Sequence, residues 1–256
     1  MGKKGKIGKV SIFKKKKNKN STPTSPEALS NKSKFAIVES YKAARTNIMF
    51  SLSAVDKKMF AVTSYSKGEG KSTVSANLAI SFSKMEKKVL LIDCDLRRPN
   101  VHNILNLENT VGLSNIIGKM VSFEDAASFD VLPNLDIITS GTIPPNPSEL
   151  MCSSTFVSLI NRLYDEYDYI IFDTPPIGVV ADALLLKDLV AGFVMVVHER
   201  STTHGDIQKI IESVKLADSK VLGMIKVGCA YTDKLNRRSY YYQYYWYIKT
   251  YLLCTK

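Results

Sequence analysis

No apolar run in this chain of 256 residues reaches the ~18 that a membrane-spanning helix needs. The basic N-terminus leads into further polar sequence and not into an apolar segment, so no signal peptide is expected. Cysteine is sparse. Cys94, Cys152, Cys229 and Cys254 are scattered without the spacing of a metal site and read as reduced cytosolic thiols. Cys254 stands three residues from the end and does not fit a four-residue prenylation box. Acids are missing from residues 1–20, which hold nine lysines. The net charge is +11, and the remainder of the chain carries only +2, so the basic character belongs to a tail. Such a tail can hold an anionic membrane surface, at ~1 kcal/mol per lysine near it. It has little apolar content to bury, so that attraction should be salt-sensitive. No nucleic-acid partner is expected.

What is present suits one α/β domain with tails: 45% of the residues are hydrophobic, enough for a full core. Residues 1–33 are rich in Lys, Asn, Ser and Pro and are expected to be a disordered basic extension. Phe35, Val38, Tyr41, Ala44, Ile48 and Leu52 recur at helical spacing and predict a helix over 35–52. Apolar strands are expected at 58–63, 89–93, 135–139, 168–173, 193–197 and 221–227, with helices at 72–87, 148–166, 182–190 and 204–217. Continuous Val/Ile/Leu strands between amphipathic helices imply a mostly parallel sheet with helices on both faces. The folded domain is expected over 34–236 and a tyrosine-rich tail over 237–256.

Chemistry concentrates at three strand ends. Lys67-Gly68-Glu69-Gly70-Lys71-Ser72-Thr73 follows the first apolar strand and opens a helix, the setting of a phosphate-binding loop. The glycines allow close approach to an anion, and successive N–H groups backed by a helix N-terminus form its nest. Lys71 would neutralise the outer phosphates of ATP, and the Ser72 hydroxyl would bind Mg²⁺. Tyr65 stands where a strict P-loop has its first glycine. The second strand ends in Asp93-Cys94-Asp95, whose carboxylates can bind the metal or accept a proton from an attacking hydroxyl. Tyr169-Ile170-Ile171-Phe172-Asp173 reads as a Walker B strand, with Asp173 holding Mg²⁺ through water.

Tyr240, Tyr241, Tyr242, Tyr244, Tyr245 and Tyr247 surround Trp246 in a stretch without core periodicity. They read as phosphate acceptors, each phosphate adding about −1.5 to −2 charges. An edge strand or interfacial aromatic patch is the plainer alternative.

The Gly-x-Gly-Lys-Ser-Thr loop with its second lysine, Lys67, resembles the deviant P-loop of the MinD/ParA-like ATPases, in which that lysine reaches a partner subunit's phosphates. The loop, the Asp93/Asp95 pair, the Asp173 strand and the tyrosines, in this order, resemble the bacterial tyrosine kinases of capsular and exopolysaccharide loci, over roughly residues 33–247. Glu39, Lys42 and Arg45 are similar to that family's oligomerisation helix, and Ser140 to Leu150 and Ala181-Asp182-Ala183 also look like it. The resemblance implies a P-loop NTPase fold and ATP-dependent phosphorylation of the C-terminal tyrosines between subunits. Lys71, Asp93 and Asp95 would be catalytic, residues 67–73 would hold ATP, and Ser72, Asp93 and Asp173 would hold Mg²⁺. It further implies a homo-oligomeric ring and a cytoplasmic location at the inner face of the membrane. The expected partners are a separate transmembrane co-polymerase adaptor and an opposing tyrosine phosphatase. Lys67 keeps a positioning ATPase open as an alternative. Lys226 interrupts the last apolar strand, and Val227-Gly228-Cys229 replaces the usual adenine-framing Asn. That substitution keeps a non-catalytic nucleotide-sensing scaffold open as well.

Overall fold

The computed structural model describes residues 28–30, 33–55 and 57–228. The lysine-rich stretch 1–20 and the tyrosines at 240–247 lie outside the described residues. Seven strands form a single sheet: β1 (Met59–Ser64), β2 (Val89–Asp93), β3 (Ser128–Leu132), β4 (Leu135–Ile138), β5 (Tyr169–Asp173), β6 (Phe193–His198) and β7 (Val221–Val227). Their order is β3-β4-β2-β5-β1-β6-β7, parallel throughout except for the β3–β4 hairpin.

Strands β1, β2 and β4 are buried along their whole length, which is why their apolar runs are continuous and not alternating. Alternate residues serve two cores. Ala61, Leu90, Ile92, Ile170, Phe172, Phe193 and Met195 face one layer, while Phe60, Val62, Leu91, Ile171, Val194 and Val196 face the other. The second layer holds α1 (Phe35–Ser53), α2 (Lys71–Ser83) and α3 (Val101–Leu105), with Ala44, Ile48 and Leu52 of α1 forming a stripe at fourfold spacing. Nearly every residue of α2 is buried. The first layer holds α4 (Leu113–Ile117), α5 (Phe123–Ala126), α6 (Pro147–Met151), α7 (Ser154–Tyr164), the 3₁₀ helix Ala181–Leu186, and α8 (His204–Leu216).

The single helix expected at 148–166 is two. Cys152 and Ser153 break it, and the Ser153 hydroxyl caps α7 by accepting the Phe156 N–H at 3.2 Å. The expected helix at 182–190 is a 3₁₀ turn over Ala181–Leu186. The edge strand β3 went unpredicted. It is half-exposed, and its hairpin turns through Pro133 and Asn134, the latter at φ +64°. Lys226 sits comfortably because β7 is the opposite edge: its Nζ reaches Glu199 Oε1 at 2.8 Å.

Candidate functional site

The carboxyl ends of β1, β2 and β5 lie side by side, so three loops meet there. β1 runs out at Ser64, and the loop 65–70 enters α2 at Lys71. Gly68 and Gly70 hold φ of +76° and +80°. A Cβ on Gly68 would meet nothing within 4 Å, so backbone conformation, and not space, demands glycine in the ligand-free loop. Gly70 is the N-cap of α2, and the Val74 N–H returns to its carbonyl at 2.9 Å. The positive end of a 13-residue helix therefore faces the loop.

Asp93 and Asp173 are register partners across β2 and β5, fully buried and adjacent. Asp93 is saturated by backbone: Oδ1 accepts the Asp95 N–H at 3.1 Å, and Oδ2 accepts those of Asn100 and Val101 at 3.2 and 3.1 Å. Its carboxylate thus folds the loop after β2. Asp95 turns toward the P-loop, its Oδ2 accepting from Lys71 Nζ at 2.7 Å while Oδ1 accepts the Arg98 N–H at 3.0 Å. Asp173 Oδ1 accepts from the Ser75 hydroxyl at 2.9 Å. Asp173 Oδ2 is buried with no hydrogen-bond partner among the described residues, and Lys71 Nζ stands 4.0 Å from it. Ser72 lies within the same shell, its Oγ 3.4 Å from Lys71 Nζ.

Electrostatics follow from that crowding. Burial, reinforced by the Asp173 charge, pushes Asp93 up to about 8. Burial also raises Asp173, against the pull of Lys71. Burial draws the Lys71 ammonium down, but Asp173, Asp95 and Asp93 outweigh it and the net shift is upward. Three carboxyl groups gather around one lysine, and burial disfavours charge on two of them, an arrangement that a cation would suit. No group of three His, Cys, Asp or Glu residues among the described ones forms a ready metal cage. A buried carboxylate oxygen without a partner beside a serine hydroxyl fits Mg²⁺, which is held by one or two protein groups together with substrate phosphates and water.

Sequence reasoning missed two participants, Ser75 and Arg97, and read Glu69 only as one residue of the nucleotide-binding loop. Ser75 orients Asp173; it stands one helical turn after Lys71, so its spacing placed it on the same face. Glu69 lies buried within the loop. Arg97 donates to Asp182 Oδ2 at 2.7 Å and to Ser148 Oγ at 3.0 Å, and Ser148 donates to Asp182 Oδ1 at 2.8 Å. That cluster joins the loop after β2 to two of the family-like stretches. The candidate oligomerisation residues separate: Lys42 pairs with Glu39 at 2.7 Å on the surface, whereas Arg45 turns inward and donates to the Ser81 carbonyl of α2. No helix among the described residues is long and apolar enough to cross a membrane.

A seven-stranded, mostly parallel sheet with a glycine loop entering a buried helix defines a P-loop NTPase, a nucleotide-binding fold. The family model described as "ParA: NUBPL iron-transfer P-loop NTPase" matches residues 55–243. Tyrosine-protein kinase YwqD of Bacillus subtilis (strain 168) is 45% identical over 208 residues, covering 80% of this chain and 85% of the relative. Tyrosine-protein kinase CpsD of Streptococcus agalactiae is 37% identical over 188 residues, 73% of this chain and 81% of that one. The solved kinase domain of Escherichia coli tyrosine kinase ETK superposes with a TM-score of 0.73 at 30% identity, covering 80% of each chain. The chain belongs to the bacterial tyrosine-protein kinases, within the ParA-type P-loop NTPases.

Proposed function

We propose that this chain transfers the γ-phosphoryl group of ATP to the tyrosines at 240–247 of a neighbouring copy, and that this activity regulates capsular or exopolysaccharide assembly. The observation that carries the reading is the Lys71–Asp95 contact beside the unpartnered Asp173 oxygen. It supplies a phosphate-binding cation, a proton acceptor and a metal-facing carboxylate at three adjoining strand ends. When ATP enters, Lys71 leaves Asp95 for the β- and γ-phosphates. Asp95 is then free to take the proton of an incoming tyrosine hydroxyl. The phenolic oxygen forms its bond to the γ-phosphorus as the bond to the β,γ-bridging oxygen breaks, and ADP departs. Ser72 and Asp173 would hold Mg²⁺, the latter through water, with Asp93 kept to shaping the loop by its three amides. Mg²⁺ would neutralise charge building on the phosphates.

Eleven residues lie between Gly228 and Tyr240, so the twelve steps span at most about 43 Å when extended, which suits delivery to another subunit. The exposed Glu39–Lys42 pair on α1 would serve a homo-oligomeric ring. A separate transmembrane adaptor, an opposing tyrosine phosphatase and a location at the inner face of the membrane, helped by the Lys-rich N-terminus, complete the proposal.

Purified protein, with an adaptor fragment where required, is incubated with ATP and Mg²⁺ and its phosphotyrosines are mapped by mass spectrometry. Modification within 240–247 that disappears in Lys71→Met is expected. Absence of modification in the wild type, or its persistence in Lys71→Met, overturns the assignment. A positioning ATPase would instead show hydrolysis stimulated by DNA or liposomes with no phosphotyrosine.

A further inference from the structure

Glu69 is an anion inside a loop built for anions. It is 2% exposed, and no Lys or Arg among the described residues lies within ion-pair distance of it. Both of its oxygens are engaged. Oε2 accepts the Ser66 N–H at 2.9 Å, closing the loop upon itself, and Oε1 accepts the hydroxyl of Thr202 in the segment between β6 and α8. The Thr202 oxygen in turn accepts the His198 N–H at 2.7 Å, and the Thr202 N–H returns to the His198 carbonyl at 3.0 Å. A threonine hydroxyl has one proton, so accepting from His198 directs that proton to Glu69.

The same segment is tied to the end of β7. The Glu199 N–H bonds the Val227 carbonyl at 2.9 Å, and the His198 ring packs so closely on Gly228 that an added Cβ there would lie 2.4 Å from Nε2. A Cβ on Gly70 would in turn touch Val227 Cγ2 at 3.7 Å. One chain of directed bonds and tight packing therefore runs from the phosphate loop to the point where the polypeptide leaves for the tyrosines.

We propose that Glu69 and Thr202 are a positioning pair: their bond holds residues 66–70 in the shape that receives phosphates and ties that shape to the end of β7. Neither side chain needs to touch the nucleotide. The proposal rests on the nucleotide-dependent reading above, so its test is made on binding first.

ADP affinity is measured by calorimetry on full-length wild type, Thr202→Val, Thr202→Ser, Glu69→Ala and the Glu69→Ala/Thr202→Val double variant. Thr202→Val is expected to weaken ADP about tenfold, the scale of a lost hydrogen bond to a charged group. Thr202→Ser, which keeps the hydroxyl, restores binding. The double variant binds no worse than Glu69→Ala alone, because the two residues act through one bond. In phosphotransfer, Thr202→Val raises KM for ATP by a similar factor while kcat at saturation holds. ADP binding by Thr202→Val at wild-type strength, failure of Thr202→Ser to restore it, or independent losses in the double variant would each refute the pair. A wild type that binds ADP in this pattern but never phosphorylates tyrosine would overturn the kinase proposal and leave the pair standing.

Discussion

Replacing Asp173 with Asn should stabilise the ligand-free protein while removing its response to nucleotide. The Asp173 carboxyl is fully buried, faces Asp93 across the strand pair, and carries one oxygen without a hydrogen bond. Its affinity for a proton is raised even though Lys71 lies 4.0 Å away, so burial outweighs an attraction worth about 4 kcal/mol at an effective dielectric constant near 20. Asn keeps an oxygen for the Ser75 hydroxyl and removes the charge that adjoins Asp93 across the strand pair. Removing a buried charge with one oxygen unpaired gives about 1–3 kcal/mol, and Lys71 retains Asp95 as its partner. At about 2–4 °C per kcal/mol for a domain of this size, Tm should rise by roughly 2–12 °C. The assay is thermal unfolding at pH 8, first in EDTA and then with Mg²⁺ and a non-hydrolysable ATP analogue. Saturating ligand at about a hundred times Kd adds about 2.7 kcal/mol to the wild type and should add little to the variant. A lower Tm without ligand, or an equal gain with it, would refute the account of Asp173 as a buried charge that a cation would compensate.

Three further outcomes are expected. Asp93 is raised to about 8 from an ordinary 3.8, so its stabilising contribution is complete below about pH 4 and is lost as pH rises through 8. Urea midpoints of the ligand-free protein should therefore fall between pH 5 and 8, with a shallower fall in Asp173→Asn; a rise over that range would contradict the burial argument. Ile48→Ala empties a fully buried position where α1 packs on α2 and should cost about 2–4 kcal/mol in denaturant unfolding. Gly112→Ala would set a Cβ 2.2 Å from the Thr139 carbonyl oxygen and 2.4 Å from the Gly141 nitrogen; both obstacles are backbone, so a loss of at least ~2 kcal/mol is expected, read from the same unfolding curves.

The central strands were legible because parallel strands buried on both faces are written as unbroken apolar runs, and Met59–Ser64, Val89–Asp93 and Phe193–His198 are such runs. What escaped was local and polar. Strand β3 reads Ser-Phe-Asp-Val-Leu, and its pairing is set by Asn134 at φ +64° and by Asp136, which accepts the Asp130 N–H at 2.8 Å; neither leaves an apolar period. The break between α6 and α7 depended on one serine cap, which competes poorly for notice within an otherwise helical stretch.

The site divides along the same line. Lys71, Asp93, Asp95 and Asp173 were found because strand ends point their last side chains into adjoining loops, a consequence of topology that the apolar runs already carry. Their different states were not legible, since Asp93 and Asp95 are two residues apart and chemically identical. Only the fold gives one carboxylate three backbone amides and the other a lysine and a single amide. That difference has a direct consequence for mechanism. A carboxylate saturated by amides cannot move without unfolding its loop, whereas Asp95 is held by one amide and an ammonium, and the oxygen on the ammonium would be released if the ammonium found a better anion. In the proposed reaction a phosphate chain would be that anion, so the arrival of ATP would free Asp95 in the same event.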